Sequence, residues 1–138
     1  MQKTSDHGFD LSKPNLELER VIKTIKSFNI RSSIFIDPDI EQLKRAKDIG
    51  VDRVELYTGP YAAFFNSQST KDTYRSVIEF ANQESLDLNA GHDLNLHNLP
   101  FLMECGEIKE VSIGQAYISD CLIYGIKETT KKYLEVLK

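Results

Sequence analysis

The sequence predicts an α/β fold built from four parallel strand–helix units. Three observations predict it. Short apolar or β-branched runs begin near residues 31, 53, 86 and 110. Each is followed by a segment whose apolar residues recur at helical spacing. The passages between them are short and rich in turn formers, with no linker and no low-complexity tract. Alternation of this kind implies parallel strands joined by right-handed crossovers.

Composition narrows the class. The chain has 138 residues, 41% of them hydrophobic and 28% charged, which suits one folded domain over residues 1–138. Its net charge of −4, with acids and bases interspersed, argues against nucleic acid as the main partner. No window approaches the ~18 consecutive apolar residues of a membrane span. Met1–Asp10 is polar and lacks the apolar core of a signal peptide. Cys105 and Cys121 form no CxxC pair and read as buried, reduced thiols of a cytoplasmic protein.

The elements follow in order. Ser12-Lys13-Pro14 reads as the start of a first helix, with Ser at the N-cap and Pro early in the first turn. That helix runs from about Asn15 to Phe28, carrying Leu18, Val21, Ile22, Ile25 and Phe28 on one face. Arg31–Ile36 is a strand of β-branched and aromatic residues. Asp37-Pro38-Asp39 ends it and caps a helix from Ile40 to Ile49, closed by Gly50. Arg53–Tyr57 is the second strand, followed by a turn at Thr58-Gly59-Pro60-Tyr61 and a polar loop at Asn66–Ser69. A helix from about Lys71 to Gln83 presents Tyr74, Val77, Ile78 and Ala81 on one face. Strand Leu86–Ala90 enters the turn Gly91-His92, and a short helix covers Leu99 to Cys105. Glu110–Ile113 is the fourth strand, and Gly114-Gln115 its exit. The last helical region spans about Ala116 to Leu137, jointed near Gly125, with Lys127, Lys131 and Lys132 toward its C-terminal half.

Four such strands do not close a (β/α)₈ barrel, which needs eight, and a free sheet of four would leave two bare edges. Thr4-Ser5-Asp6-His7-Gly8 reads as the exit loop of a strand that precedes it. The pattern therefore looks like half of a larger assembly of strands.

The strand ends carry the chemistry. His92 follows a strand and a glycine, and histidine is the side chain whose ordinary pKa suits proton transfer near neutrality. The competing reading is a turn histidine bonded to backbone. Within Arg53-Val54-Glu55-Leu56-Tyr57 the side chains alternate, so Val54 and Leu56 face one way and Arg53, Glu55 and Tyr57 the other. Glu55 is then either a functional carboxylate at the catalytic end or half of an ion pair with Arg53 or a neighbouring strand. Asp37 and Asp39 read as a turn and an N-cap, or as polar groups at a barrel mouth. His7 and His97 are loop residues, and no HxH or HExxH spacing supports a metal. Phe64-Phe65 packs a helix or a subunit interface.

Ile34-Phe35-Ile36-Asp37-Pro38-Asp39, Glu55-Leu56-Tyr57-Thr58-Gly59-Pro60-Tyr61-Ala62, Asn89-Ala90-Gly91-His92 and Ser112-Ile113-Gly114 occur in that order. Together they resemble the C-terminal half of the pyridoxine 5′-phosphate synthase family of vitamin B6 biosynthesis, from about Thr4 to the C-terminus. The resemblance implies the last four units of a TIM barrel. It implies a condensation of 3-amino-2-oxopropyl phosphate with 1-deoxy-D-xylulose 5-phosphate to pyridoxine 5′-phosphate, phosphate and water, without metal or organic cofactor. It makes His92 the proton donor and Glu55 the residue that stabilises charged states. It makes Thr4, or Ser5 if the register slips, a substrate contact. It places Asp93, Gly114 and Gln115 at bound phosphate, through backbone N–H groups at a helix start. The family usually shows Gly-His where this chain has Gly114-Gln115, and Gly where it has Asp93. It also implies that other site residues come from the first half of the barrel, and that members assemble as homo-oligomers. Two expectations follow: a fragment or subunit active only with an N-terminal half-barrel, or a chain without catalysis, either a phosphate-ligand-binding half-barrel or the inactive truncated remnant of a broken gene. A further alternative is that two copies pair and bury their edges.

Overall fold

A computed structural model describes residues 5–138. Its centre is a four-stranded parallel sheet in the order β1 (Ser33–Ile36), β2 (Arg53–Tyr57), β3 (Asp87–Gly91) and β4 (Glu110–Ser112). The order in space is the order in sequence, which is the topology of a barrel wall. Around it run α1 (Leu16–Ser27), α2 (Ile40–Ile49), α3 (Gly59–Ala63), α4 (Gln68–Gln83), α5 (Leu99–Cys105), α6 (Gln115–Tyr124) and α7 (Ile126–Val136). The four-unit α/β reading of the sequence is the architecture observed.

Strand alternation separates the two faces. Ile34, Ile36, Val54, Leu56, Leu88 and Ala90 are buried beneath the helices, where Leu43, Tyr74, Ile78 and Leu102 meet them in one core. Register sorts the opposite face into rows. Ser33, Arg53 and Asp87 form one row, and Phe35, Glu55, Asn89 and Glu110 the next. Tyr57, Gly91 and Ser112 form the third, nearest the strand exits. This uncovered face is polar and aromatic, unlike the aliphatic face beneath the helices.

Local rules explain most boundaries. Asp39 accepts a hydrogen bond from the Gln42 N–H and caps α2 (3.0 Å), and Gly50 closes it at φ +81°. The joint between α6 and α7 is Gly125, also at positive φ. Four differences from the sequence reading have a local cause. Asn15, not Ser12, caps α1 by accepting from the Leu18 N–H, and Ser12 instead closes a turn with its N–H on Asp10. Pro14 thus precedes the helix rather than opening its first turn. β1 starts at Ser33 because Ser32 is engaged by the Asp52 carboxylate through both N–H and hydroxyl. Thr58–Ala63 holds a short helix rather than an open turn. α4 begins at Gln68, three residues early, because Ser67 supplies a cap.

The edge of β1 is partly covered by the segment that precedes α1. The Phe9 N–H donates to the Phe35 carbonyl at 2.7 Å, and the Gly8 N–H to Asp37 Oδ1 at 3.1 Å. A Cβ at Gly8 would collide with the backbone of Ile36, so glycine is what lets this segment lie against the strand. Both cysteines are free thiols. Cys105 is buried as expected, whereas Cys121 on α6 is only half-buried.

Candidate functional site

The strand exits build the site around the turn that follows β3. His92 and Asp93 both have positive φ, +98° and +56°. Two consecutive non-glycine residues in this region cost on the order of 1–3 kcal/mol each, so surrounding structure must hold them there. The turn divides two cavities. One, of about 620 Å³, is lined by Glu55, His92, Phe35, Ser112, His7 and Gly8 among others. The second, of about 490 Å³, is lined by Asp93, Asn95, Gly114, Gln115 and the small residues Gly59 and Ala62 among others.

Glu55 and His92 therefore share one cavity, although 37 positions separate them in sequence. Glu55 pairs in register with Asn89, so Gly91 lies one pleat further along β3 on the same face. A Cβ at Gly91 would collide with the Glu55 carboxylate, and glycine is what leaves room for it. Burial raises the Glu55 pKa above the ordinary glutamate value of 4.5; the adjacent His92 opposes that rise and Glu110 adds to it. The His92 ring stands edge-on to Tyr57, centroids 5.0 Å apart, and 6.1 Å from Phe35. This aromatic wall fixes the plane of the imidazole.

The ion-pair reading of Glu55 with Arg53 is corrected. The buried Arg53 guanidinium, one row further from the strand exits than Glu55, instead reaches Asp87 in its own row and Glu110 and the Asn89 amide in the row of Glu55. Asp37 and Asp39 serve as turn and cap. His97 packs edge-on against Phe65, and Phe65 against Tyr61, while Phe64 is exposed. Thr4 lies outside the described residues.

Asp93, Gly114 and Gln115 meet at the second cavity, from two separate strand exits. Gly114 is the N-cap of α6, and no side chain caps that helix. Its first N–H groups and the helix dipole are thus available to an anion. Space next to Gly114 is open for at least 4 Å from where a Cβ would stand. Among the described residues no lysine or arginine lines this cavity, so an anion there would rest on backbone N–H groups. Among the described residues no three His, Cys, Asp or Glu side chains converge as metal ligands.

Sequence reasoning missed several residues that build the turn. The buried Thr58 hydroxyl donates to the His92 carbonyl at 2.6 Å, and the Thr58 N–H to the Gly91 carbonyl at 2.9 Å. The buried Asn98 amide donates to the Asp93 carbonyl at 3.1 Å. His7 reaches the Glu55–His92 cavity from the segment along β1. Thr58 stands inside a motif that the sequence singles out, but its target is not legible there.

Comparison with known proteins decides the family. The model of the family described as "Pyridoxal phosphate biosynthesis protein PdxJ" matches residues 1–138. The chain belongs to the PdxJ family. A pyridoxine 5′-phosphate synthase from Brucella anthropi is 40% identical over 141 residues, covering 99% of this chain and 58% of its own length. One from Brucella abortus is 41% identical over 142 residues, with the same coverage of each. The chain thus spans 58% of the length of these PdxJ relatives. Among solved structures, a mutant flavocytochrome b2 with benzoylformate superposes with a TM-score of 0.54 at 16% identity. That alignment covers 91% of this chain and 33% of that one, a likeness of fold alone.

Proposed function

We propose that this chain carries the proton-donor side of a pyridoxine 5′-phosphate synthase site, condensing 3-amino-2-oxopropyl phosphate with 1-deoxy-D-xylulose 5-phosphate. The observation that carries this reading is the convergence of Glu55 and His92 in one cavity at the strand exits. Parallel α/β folds place their chemistry at that end of the strands. The condensation forms an imine, expels water and aromatises a ring, and each step moves protons. His92 supplies a proton to a leaving oxygen. The Glu55 carboxylate lies beside the same space, where it offsets positive charge on an iminium intermediate.

The second cavity takes a substrate phosphate on the N–H groups of Gly114, Gln115 and Asp93, with no metal or organic cofactor in the reaction. The Asp93 carboxylate must turn away from that anion, and its αL conformation separates the direction of its side chain from that of its N–H. Turnover requires the remaining strands of the barrel, because strands β1–β4 enclose the cavity from one side only. In this reading the protein works in the cytoplasm as a homo-oligomer, or with those strands supplied as a separate half-barrel.

The test is an assay for pyridoxine 5′-phosphate with both phosphorylated substrates. The full chain is mixed with the N-terminal half of the Brucella anthropi relative. Turnover above that of either part is expected, and His92→Ala should lower it by about 10²–10⁴-fold with the fold intact. Absence of turnover from the mixture would favour a phosphate-binding half-barrel without catalysis. Unchanged turnover in His92→Ala would remove that residue from the chemistry.

A further inference from the structure

We infer that Thr58 and Asn98 are positioning residues, whose hydrogen bonds to two consecutive backbone carbonyls hold His92 in its cavity and Asp93 in the other. The inference rests on the reading of His92 as the proton donor. Neither residue lines the cavity that His92 faces. Both act through the main chain.

The geometry is specific. β2 and β3 run in parallel register up to Tyr57 and Gly91, and the Thr58 N–H extends that ladder to the Gly91 carbonyl. One residue later the main chain leaves the sheet, and His92 takes φ +98°. Its carbonyl can no longer meet a strand partner. The Thr58 hydroxyl takes that role at 2.6 Å, from a fully buried position. The next carbonyl, of Asp93, accepts from the buried Asn98 amide at 3.1 Å and, at a longer 3.5 Å, from the Asn95 amide. The other side of Asn98 is also committed: its Oδ1 accepts from the Asn95 N–H at 2.9 Å, and its carbonyl accepts from the buried Tyr61 hydroxyl at 2.6 Å.

Alternatives within the site do not do this. The ring contacts with Tyr57 and Phe35 orient the imidazole plane but leave φ free to relax. A left-handed residue without glycine's freedom persists only where neighbours over-determine it. Thr58 and Asn98 are the buried side chains that hold it at the shorter distances, 2.6 and 3.1 Å, and they come from different elements, the start of α3 and the start of α5. Relaxation of the turn would swing the imidazole relative to Glu55. A misplacement of ~1 Å is enough to cost about 10²-fold in rate.

The test compares Thr58→Val, Thr58→Ser and Asn98→Asp in the full chain. Thr58→Val keeps shape and removes the hydroxyl; Thr58→Ser restores it. Asn98→Asp keeps the acceptor for Asn95 and removes the donor to Asp93. Backbone and imidazole resonances of His92 are followed by NMR, together with the nuclear Overhauser contact between His92 and Tyr57. In the complemented assay, kcat and KM are measured. Thr58→Val and Asn98→Asp should shift the His92 and Asp93 resonances and weaken the Tyr57 contact. They should lower kcat by roughly 10²-fold with KM changed far less. Thr58→Ser should restore both readouts. His92 resonances unchanged in folded Thr58→Val, or in folded Asn98→Asp where Thr58→Val does not fold, would overturn the inference. So would equal loss in Thr58→Val and Thr58→Ser. If the wild-type mixture shows no turnover, the catalytic reading fails while the NMR comparison still decides whether these residues set the turn.

Discussion

Glu55 carries the clearest consequence of its surroundings. Its folded-state pKa is raised, chiefly by burial, so the folded state binds the proton more tightly than the unfolded chain does. Stability from this group is complete below the ordinary value of 4.5 and is lost as pH rises through the folded-state value. Glu55→Gln stays neutral throughout. Its melting temperature relative to wild type should therefore rise from pH 4 to pH 8, as read in thermal scans at each pH. A difference that is flat or reversed over that range would show that Glu55 is not held in a desolvated place. The same residue shows the limit of alternation as evidence. Its spacing puts Glu55 and Arg53 on one face, but the ion pair goes from Arg53 to Glu110 and Asp87 on other strands.

Among the elements, α6 bears most directly on ligand binding. It starts at a glycine with no side-chain cap, and its first turn borders a cavity without lysine or arginine among the described residues. If backbone N–H groups hold phosphate there, the identity of side chain 115 matters little and its N–H matters much. Gln115→Ala should bind inorganic phosphate as wild type does, followed by ³¹P NMR titration. Gln115→Pro deletes the N–H at a helix position that tolerates proline and should weaken binding about tenfold or more. Equal affinity in both variants would place the anion elsewhere. Helix starts and ends were mostly legible, because Asp39, Gly50 and Gly125 act through local geometry. α1 starts within a residue of the position its periodicity gives, but its cap is not legible, because Ser12 and Asn15 are both good caps and only the packed structure selects Asn15.

For the molecule as a whole, two features are left uncovered. β4 has no further strand beside it among the described residues. Ile118, Leu122, Ile123 and Ile126 on α6 and α7 are exposed, Leu122 to 85%. Exposed aliphatic residues this close together in the chain suit an association face. In the proposed homo-oligomer or complemented barrel this face is buried. Leu122→Lys should preserve the far-ultraviolet circular dichroism and lower the associated fraction in sedimentation velocity, alone and with the N-terminal half. An unchanged mass distribution in both settings would show that association uses another surface.

The amino-acid sequence by itself determined the four β/α units, their order, the two faces of each strand and the strand-end motifs, because these follow from periodicity and turn chemistry over a few residues. It also put Glu55 and His92 at strand exits. Tertiary structure alone decided that they share a cavity, that Asp93, Gly114 and Gln115 share another, and that Arg53 pairs across strands. It alone decided that the Thr58 hydroxyl meets the carbonyl of His92, 34 residues away. The physical reason is register. Which side chain meets which carbonyl across two strands depends on the pairing of the whole ladder, and no local pattern around residue 58 or 92 encodes it.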